Sequence, residues 1–156
     1  MKKDKDMIEI LMIDYRDQNE WEPHNENQRA QLSSVLLAIS AALVTLIPKD
    51  RPLTQNDWPI PAFLIGIGIF GILAIMKYWE RFLYHIKRED TVRRVLDSYF
   101  PGKLLTKTRD DAIMEHDKGW RPLFKDRYLM QHWLWEGVFA LITLLGVYFL
   151  VITLML

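Results

Sequence analysis

Residues 137–156 read GVFALITLLGVYFLVITLML, twenty consecutive residues without a charge. At 1.5 Å per residue a helix of this length spans about 30 Å, the thickness of a bilayer's hydrocarbon layer. Glu136 is the only formal charge between Arg127 and the end of the stretch. The segment predicts a membrane-spanning helix that ends at or near the far membrane surface.

Two further windows have the same character. Residues 30–48, AQLSSVLLAISAALVTLIP, lie between Arg29 and Lys49, and residues 58–76, WPIPAFLIGIGIFGILAIM, lie between Asp57 and Lys77. Each is 19 residues without a charge, which fits a span. The alternative is a buried helical hairpin in a soluble protein. A chain of 156 residues leaves too little other surface to cover three uncharged helices. Pro52 in the loop between the first two windows, with Pro48, Pro59 and Pro61 at its edges, favours a tight, extended connection. The predicted fold class is therefore all-α and integral to the membrane, with three transmembrane helices and a helical cytoplasmic stalk. The expected division is a cytoplasmic arm over 1–29, a hairpin over 30–76, a cytoplasmic segment over 77–131 and a third span over 132–156.

Twenty basic and twenty acidic residues cancel, so the informative feature is where the charges lie. The arm holds five Lys and Arg, the hairpin loop two, and residues 77–131 thirteen against nine acids. Basic residues stay on the cytoplasmic side, which places the arm and 77–131 there and the C-terminus outside. A bacterial inner (plasma) membrane is the expected location. Trp58 suits the outer interface, and Tyr78, Trp79, Trp133 and Trp135 the inner one. The absence of cysteine excludes disulfides and thiolate metal sites. The N-terminal MKKDKDMIEILMIDYRDQNE is broken by Glu9 and Asp14 and is no signal-peptide core, so the spans act as insertion signals.

The polar parts also carry helical spacing. Ile8, Leu11, Met12 and Tyr15 predict a short amphipathic helix, with a break near 20–23 at Pro23 before a second helix enters the first span. The second span runs on without Gly or Pro to Pro101-Gly102, predicting one helix over about 60–99. A helix over about 103–118 follows, and a last one over about 122–156.

Gly66-Ile67-Gly68-Ile69-Phe70-Gly71 matches the dinucleotide pattern GxGxxG, but no strand precedes it and the glycines sit mid-span. Ala62, Gly66 and Gly71 instead suit close helix packing, and Ser34, Ala38 and Ala42 form a second small-residue stripe spaced by four. His24, His85, His116 and His132 are scattered without a metal-ligand spacing, and no cofactor or metal is expected. No catalytic constellation appears, and the reading is of a protein that is not an enzyme. A lipid-acting membrane enzyme would need Glu115, His116 and Asp117 joined by residues of another helix.

Glu136 reads either as an interfacial carboxylate paired with Lys77 or Arg81, or as one member of a carboxylate ring at the mouth of an oligomeric pore. Ser34, Ser40 and Thr45 are the accompanying pore-lining candidates; such hydroxyls equally bond their own helix backbones. Arg88, Arg93 and Arg94, with Arg121 and Lys125 on the returning segment, read either as a solvated stalk or as a site for an anionic ligand.

A polar helix leading through NENQRAQLSS (25–34) into a span, a tight hairpin, and a long helix beginning KYWERFLYHIKRE (77–89) together resemble the SLATT-type effectors of bacterial anti-phage defence. The third span, 137–156, is an addition to the two-span plan. The resemblance implies a pore that damages the host membrane when a sensor or nucleotide signal releases it, and it carries over no individual residue. The leading expectation is a homo-oligomeric pore or ion channel. The alternative is a non-conducting scaffold or sensor subunit that docks a soluble partner. Expected partners are membrane lipid, further copies of the chain (a tetramer or similar assembly), and a cytoplasmic regulatory nucleotide, oligonucleotide or protein.

Overall fold

A computed structural model of the chain describes residues 2–47, 53–100, 102–119 and 127–155. Among them there is no strand. Helix α1 is Lys2–Thr45, α2 is Pro59–Tyr99, α3 is Leu104–Gly119 and α4 is Arg127–Met155, with a short 3₁₀ turn at Gln55–Asp57 before α2. Two compact units emerge, Met1–Glu26 with Glu80–Arg127, and Asn27–Trp79 with Tyr128–Leu156.

The expected break near 20–23 is absent: α1 is one 44-residue helix with Pro23 inside it. Proline removes one backbone donor and crowds the carbonyl four residues back. Here that carbonyl belongs to Asn19, an exposed residue, so water can serve it. The turns before Pro23 are anchored on α2 by Asp14, Gln18 and Trp21, and those beyond it by Leu32 and Leu36 in the second unit's core. Side-chain anchorage on both flanks outweighs the local cost. The first span also differs from expectation at its end. After Thr45 the amides of Leu46 and Ile47 bond three residues back, to Leu43 and Val44, and the helix closes. Its charge-free part, Ala30–Thr45, is about 24 Å long at 1.5 Å per residue. Residues 48–52 of the expected hairpin loop lie outside the described residues.

Helix α2 begins where its sequence makes starting cheap. Thr54 bonds Asp57 through both its amide and its hydroxyl, at 2.9 Å each, and closes the turn before it. Pro59 and Pro61 then occupy the first helical turn, where an amide would lack an intrahelical acceptor. The first α-helical bond runs from Ala62 to the Trp58 carbonyl, at 3.1 Å.

In the second unit, α1, α2 and α4 share one core of Leu36, Ile75 and Phe139, flanked by Leu32, Ile67, Ile72, Trp135 and Ile142. Close approach explains the glycines. A side chain at Gly68 would strike the Thr143 amide and Phe139 carbonyl of α4, one at Gly71 the Phe139 ring, and one at Gly146 the Ile65 and Pro61 backbone of α2. Ser33, Ser40 and Thr153 are buried with them, while Val35, Ile39, Phe63, Phe70, Leu73, Leu141, Leu144 and Leu154 face outward. The outer faces are as apolar as the core.

In the first unit, α1 runs antiparallel to α2: Met7 meets Tyr99, Asp14 meets Arg88, and Gln18 meets His85. Phe82, Val92 and Leu96 of α2 are buried. The turn into α3 uses Gly102 at φ 87° and Lys103 at φ 49°, both left-handed. Lysine has no side-chain acceptor for the exposed amides of α3. Asp97 supplies it from α2, accepting the Leu105 and Thr106 amides at 2.9 Å and the Thr106 hydroxyl at 2.5 Å.

Candidate functional site

Two helices are long and apolar enough to cross a membrane, α2 through its first half and α4 over His132–Met155. Only 28% of the apolar window in α2 and 17% of that in α4 is buried within the chain. A core helix of a soluble protein would be mostly covered. The corresponding stretch of α1 ends as a helix at Thr45 and is shorter.

The pore-lining candidates do not converge. Glu136 is partly buried and pairs along its own helix with His132, Oε1 to Nε2 at 3.1 Å. The His132 ring is stacked on Trp79 of α2, centroids 4.9 Å apart and planes 17° from parallel. Ser34 and Thr45 lie on the exposed side of α1 while Ser40 is buried, and each hydroxyl bonds a carbonyl of its own helix, at 2.8, 2.6 and 2.8 Å. Thr143 and Thr153 do the same. Ser33 differs: it is buried and its hydroxyl has no partner among the described residues.

The helix-packing candidates separate into two groups. Gly71 lies against Phe139, whereas a side chain at Gly66 would meet nothing within 4 Å. Ala38 and Ala42 are exposed and Ala62 half-buried, so this small-residue surface is left open in the single chain. Ala62 and Gly66 line an apolar groove of about 430 Å³ with Trp58, Phe63 and Phe70.

Two of the five anionic-ligand candidates, Arg88 and Arg93, are spent on acids. Arg88 holds Asp14 at 2.6 Å. Arg93 is buried and holds Asp90 at 2.7 Å, and Arg109 of α3 reaches the same Asp90 oxygen. Arg94 is exposed and bonds the Asp90 carbonyl at 3.2 Å and the Thr91 hydroxyl at 3.4 Å. The side chains of Arg121 and Lys125, like those of His116 and Asp117, lie outside the described residues, and Glu115 is exposed.

A polar relay that the sequence did not suggest joins α1 to α2. Gln18 donates to Asp14 at 3.2 Å and accepts from His85 Nδ1 at 2.7 Å, which places a proton on Nδ1. Trp21 stacks on the His85 ring at 4.2 Å, and Tyr84 meets it edge-on at 5.4 Å. Burial beneath Trp21, then the charges of Arg88 and Arg81, hold His85 below the usual imidazole value. Burial opposes ionisation of Asp97. The Thr106 hydroxyl, the Thr106 and Leu105 amides and the Arg93 charge overcome it and hold that carboxyl below its usual range. The partners in each case are many residues apart, so only a register of α1 on α2, or of α3 on α2, reveals them.

Neither a protein family, a characterised protein nor a solved structure matches this chain. Among the described residues no cluster of three or more His, Asp or Glu could hold a metal ion.

Proposed function

We propose that this chain is a three-span membrane protein that assembles in several copies into a pore. The observation that carries the reading is the polarity of the second unit. Ser33, Ser40, Thr153, Gly68, Gly71 and Gly146 lie inside while large aliphatic and aromatic side chains face outward. Water would penalise that outer face; lipid does not, because tails are as apolar as leucine and helices associate by packing instead. Leu36 shares a core with Ile75 and Phe139, which supports Ala30–Thr45 as a third span beside α2 and α4. A stretch of about 24 Å suits a bilayer thinned locally. The Lys and Arg distribution supports a cytoplasmic arm and 77–131 segment, in a bacterial plasma membrane.

Three helices cannot enclose an aqueous path alone, so conduction requires several copies around an axis. The open surface of Ser34, Ala38 and Ala42, and that of Ala62 and Gly66, supports such contacts. Glu136 would then stand near the cytoplasmic mouth. By its resemblance to SLATT-type effectors the pore would be a toxic element of anti-phage defence, controlled through its cytoplasmic helices. A second reading, a non-conducting scaffold that docks a soluble partner, is favoured by the hydroxyls of the spans, which bond their own carbonyls instead of facing a shared path.

Reconstitution separates the two. A pore releases ions from liposomes and runs as a multimer by mass photometry in mild detergent. A clean monomer removes the pore reading, and a multimer that gives no flux leaves the scaffold.

A further inference from the structure

Arg93 is 6% exposed, yet its Nε and Nη1 have no hydrogen-bond partner among the described residues. Its one bond, from Nη2, ends on Asp90 Oδ1. Arg109 of α3 bonds that same oxygen through Nη1. One carboxylate oxygen therefore serves two guanidinium groups, and the more deeply buried of them is left short of acceptors. A buried cation in this condition is costly, and an unmet buried donor points to a missing water or ion or to an alternative pairing. Arg94, one turn beyond Asp90 on the same face, adds a third guanidinium that no described carboxylate neutralises.

We infer that this corner of α2 and α3 binds a phosphate group, held by Arg109 and Arg94. The side chains of Arg109 and Asp90 are about a third exposed, at 34% and 37%, so the mouth is open to solvent. A phosphate monoester carries about −1.5 to −2 charge at pH 7 and offers three acceptor oxygens, enough for two guanidinium forks. When Arg109 turns onto the phosphate, Asp90 is released to Arg93 alone and can accept from it through both oxygens. The bidentate pair meets one of the unmet donors, so ligand binding and interior satisfaction reinforce each other. A carboxylate ligand has acceptors for one fork only. Asp110 and Asp111 follow Arg109 directly, and residues one and two apart on a helix point away from one another. Asp97 faces the Arg93 charge but accepts its hydrogen bonds from the α3 amides and the Thr106 hydroxyl. The inference does not rest on conduction, since binding is read directly.

The test uses the full chain in phosphatidylcholine nanodiscs. Inorganic phosphate and pyrophosphate are titrated calorimetrically in one arm, and phosphatidic acid is mixed into the nanodisc in the other, with thermal unfolding as the common readout. Saturable binding of one phosphate group per chain is expected. R109Q and R94Q should each weaken it about tenfold or more, while K87Q, exposed on α2 outside the corner, should stay within about twofold. A response in the soluble arm alone assigns a free phosphate compound, and one in the lipid arm alone assigns a headgroup. Either upholds the site. No saturation in either arm, or equal weakening by K87Q and R109Q, overturns it. Both tested arginines are at least partly exposed, and helicity of each variant is checked by circular dichroism.

Discussion

Gly68 and Gly66 stand two residues apart on α2 and should respond oppositely to the same methyl group. A Cβ at Gly68 would sit 2.8 Å from the Thr143 amide nitrogen and 2.9 Å from the Phe139 carbonyl oxygen, where ordinary contact begins at 3.4 Å. The Thr143 hydroxyl is nearer still and can turn away, but these two obstacles are backbone, so no rotamer change relieves them and α2 must part from α4 by about 0.5 Å, a gap that forfeits roughly a quarter of each dispersion well. Phe139 is fully buried at this contact. With on the order of 40 atom contacts at about 0.15 kcal/mol each, losing a quarter costs about 1.5 kcal/mol. That falls within the ~1–3 kcal/mol of overpacked cores. In lipid this packing is the main attraction between the helices, so little else offsets the loss. Gly66→Ala meets nothing within 4 Å and should be neutral or slightly stabilising. The assay is reversible unfolding by SDS titration from mild-detergent micelles, followed by helicity. Gly68→Ala should lower stability by about 1–3 kcal/mol, and Thr143→Ala should restore it only in part, because it removes the hydroxyl contact and leaves the two backbone ones. Phe139→Leu should partly rescue Gly71→Ala, whose obstacle is a ring. Equal stability of Gly66→Ala and Gly68→Ala would refute the α2–α4 contact.

Pro23→Ala should raise stability by up to about 3 kcal/mol by returning an amide to the Asn19 carbonyl; no gain in thermal unfolding would mean that α1 is not continuous there. His85 has its pKa lowered in the folded chain, so its contribution is complete above about pH 6.5 and declines as pH falls through the lower folded value. Unfolding midpoints at pH 7.5 and 5.5 should differ less in His85→Phe than in the parent. Asp97, also lowered, stabilises above the ordinary carboxylate value of about 3.9 and loses this as pH falls through its folded value. Asp97→Asn should speed hydrogen exchange at the Leu105 and Thr106 amides at neutral pH, and unchanged exchange would show that the carboxylate does not cap α3.

The helices were legible where hydropathy or punctuation decides them. Helix α2 ends at Tyr99 ahead of the Gly102 turn and α3 follows, as the sequence indicated, whereas Pro59 and Pro61, expected in an extended connection, form the first turn of α2. Pro23 misled because a local helix penalty was weighed without the tertiary contacts that Asp14, Gln18 and Trp21 make. The buried face of α1 was harder still. Ser34, Ala38 and Ala42 suggested a contact stripe, but Ser33, Leu36 and Ser40 are the buried positions, on nearly the opposite face, a rotation of about 165°. The exposed residues of α1 in this stretch include Val35 and Ile39, so hydropathy gives no reason to prefer one side. Arg93 and Arg94 were visible as a basic run, whereas the carboxylates that divide them, Asp90 and Asp97, take their meaning from α3. Sequence spacing within α2 alone contains no trace of Arg109 or Thr106.

Helix α2 carries the argument for a solvent boundary within a single element. Over its first half the outward residues are Phe63, Ile69, Phe70, Leu73 and Met76. From Glu80 onward they are Glu80, Arg81, Lys87, Arg88 and Arg94, with Leu83, Tyr84 and Val95 interspersed, while Phe82, Val92 and Leu96 are buried. The second half therefore carries charge on its outward face and, Arg93 and Asp97 apart, buries apolar residues, and the first half has no charge on any face. The changeover falls at Lys77, Tyr78 and Trp79, the residue types that favour a headgroup layer. The 18 residues from Pro59 to Met76 carry no charge on any face and are long and apolar enough to cross a membrane. The outward-facing residues of α2 change character once, as the proposed passage from lipid to water requires.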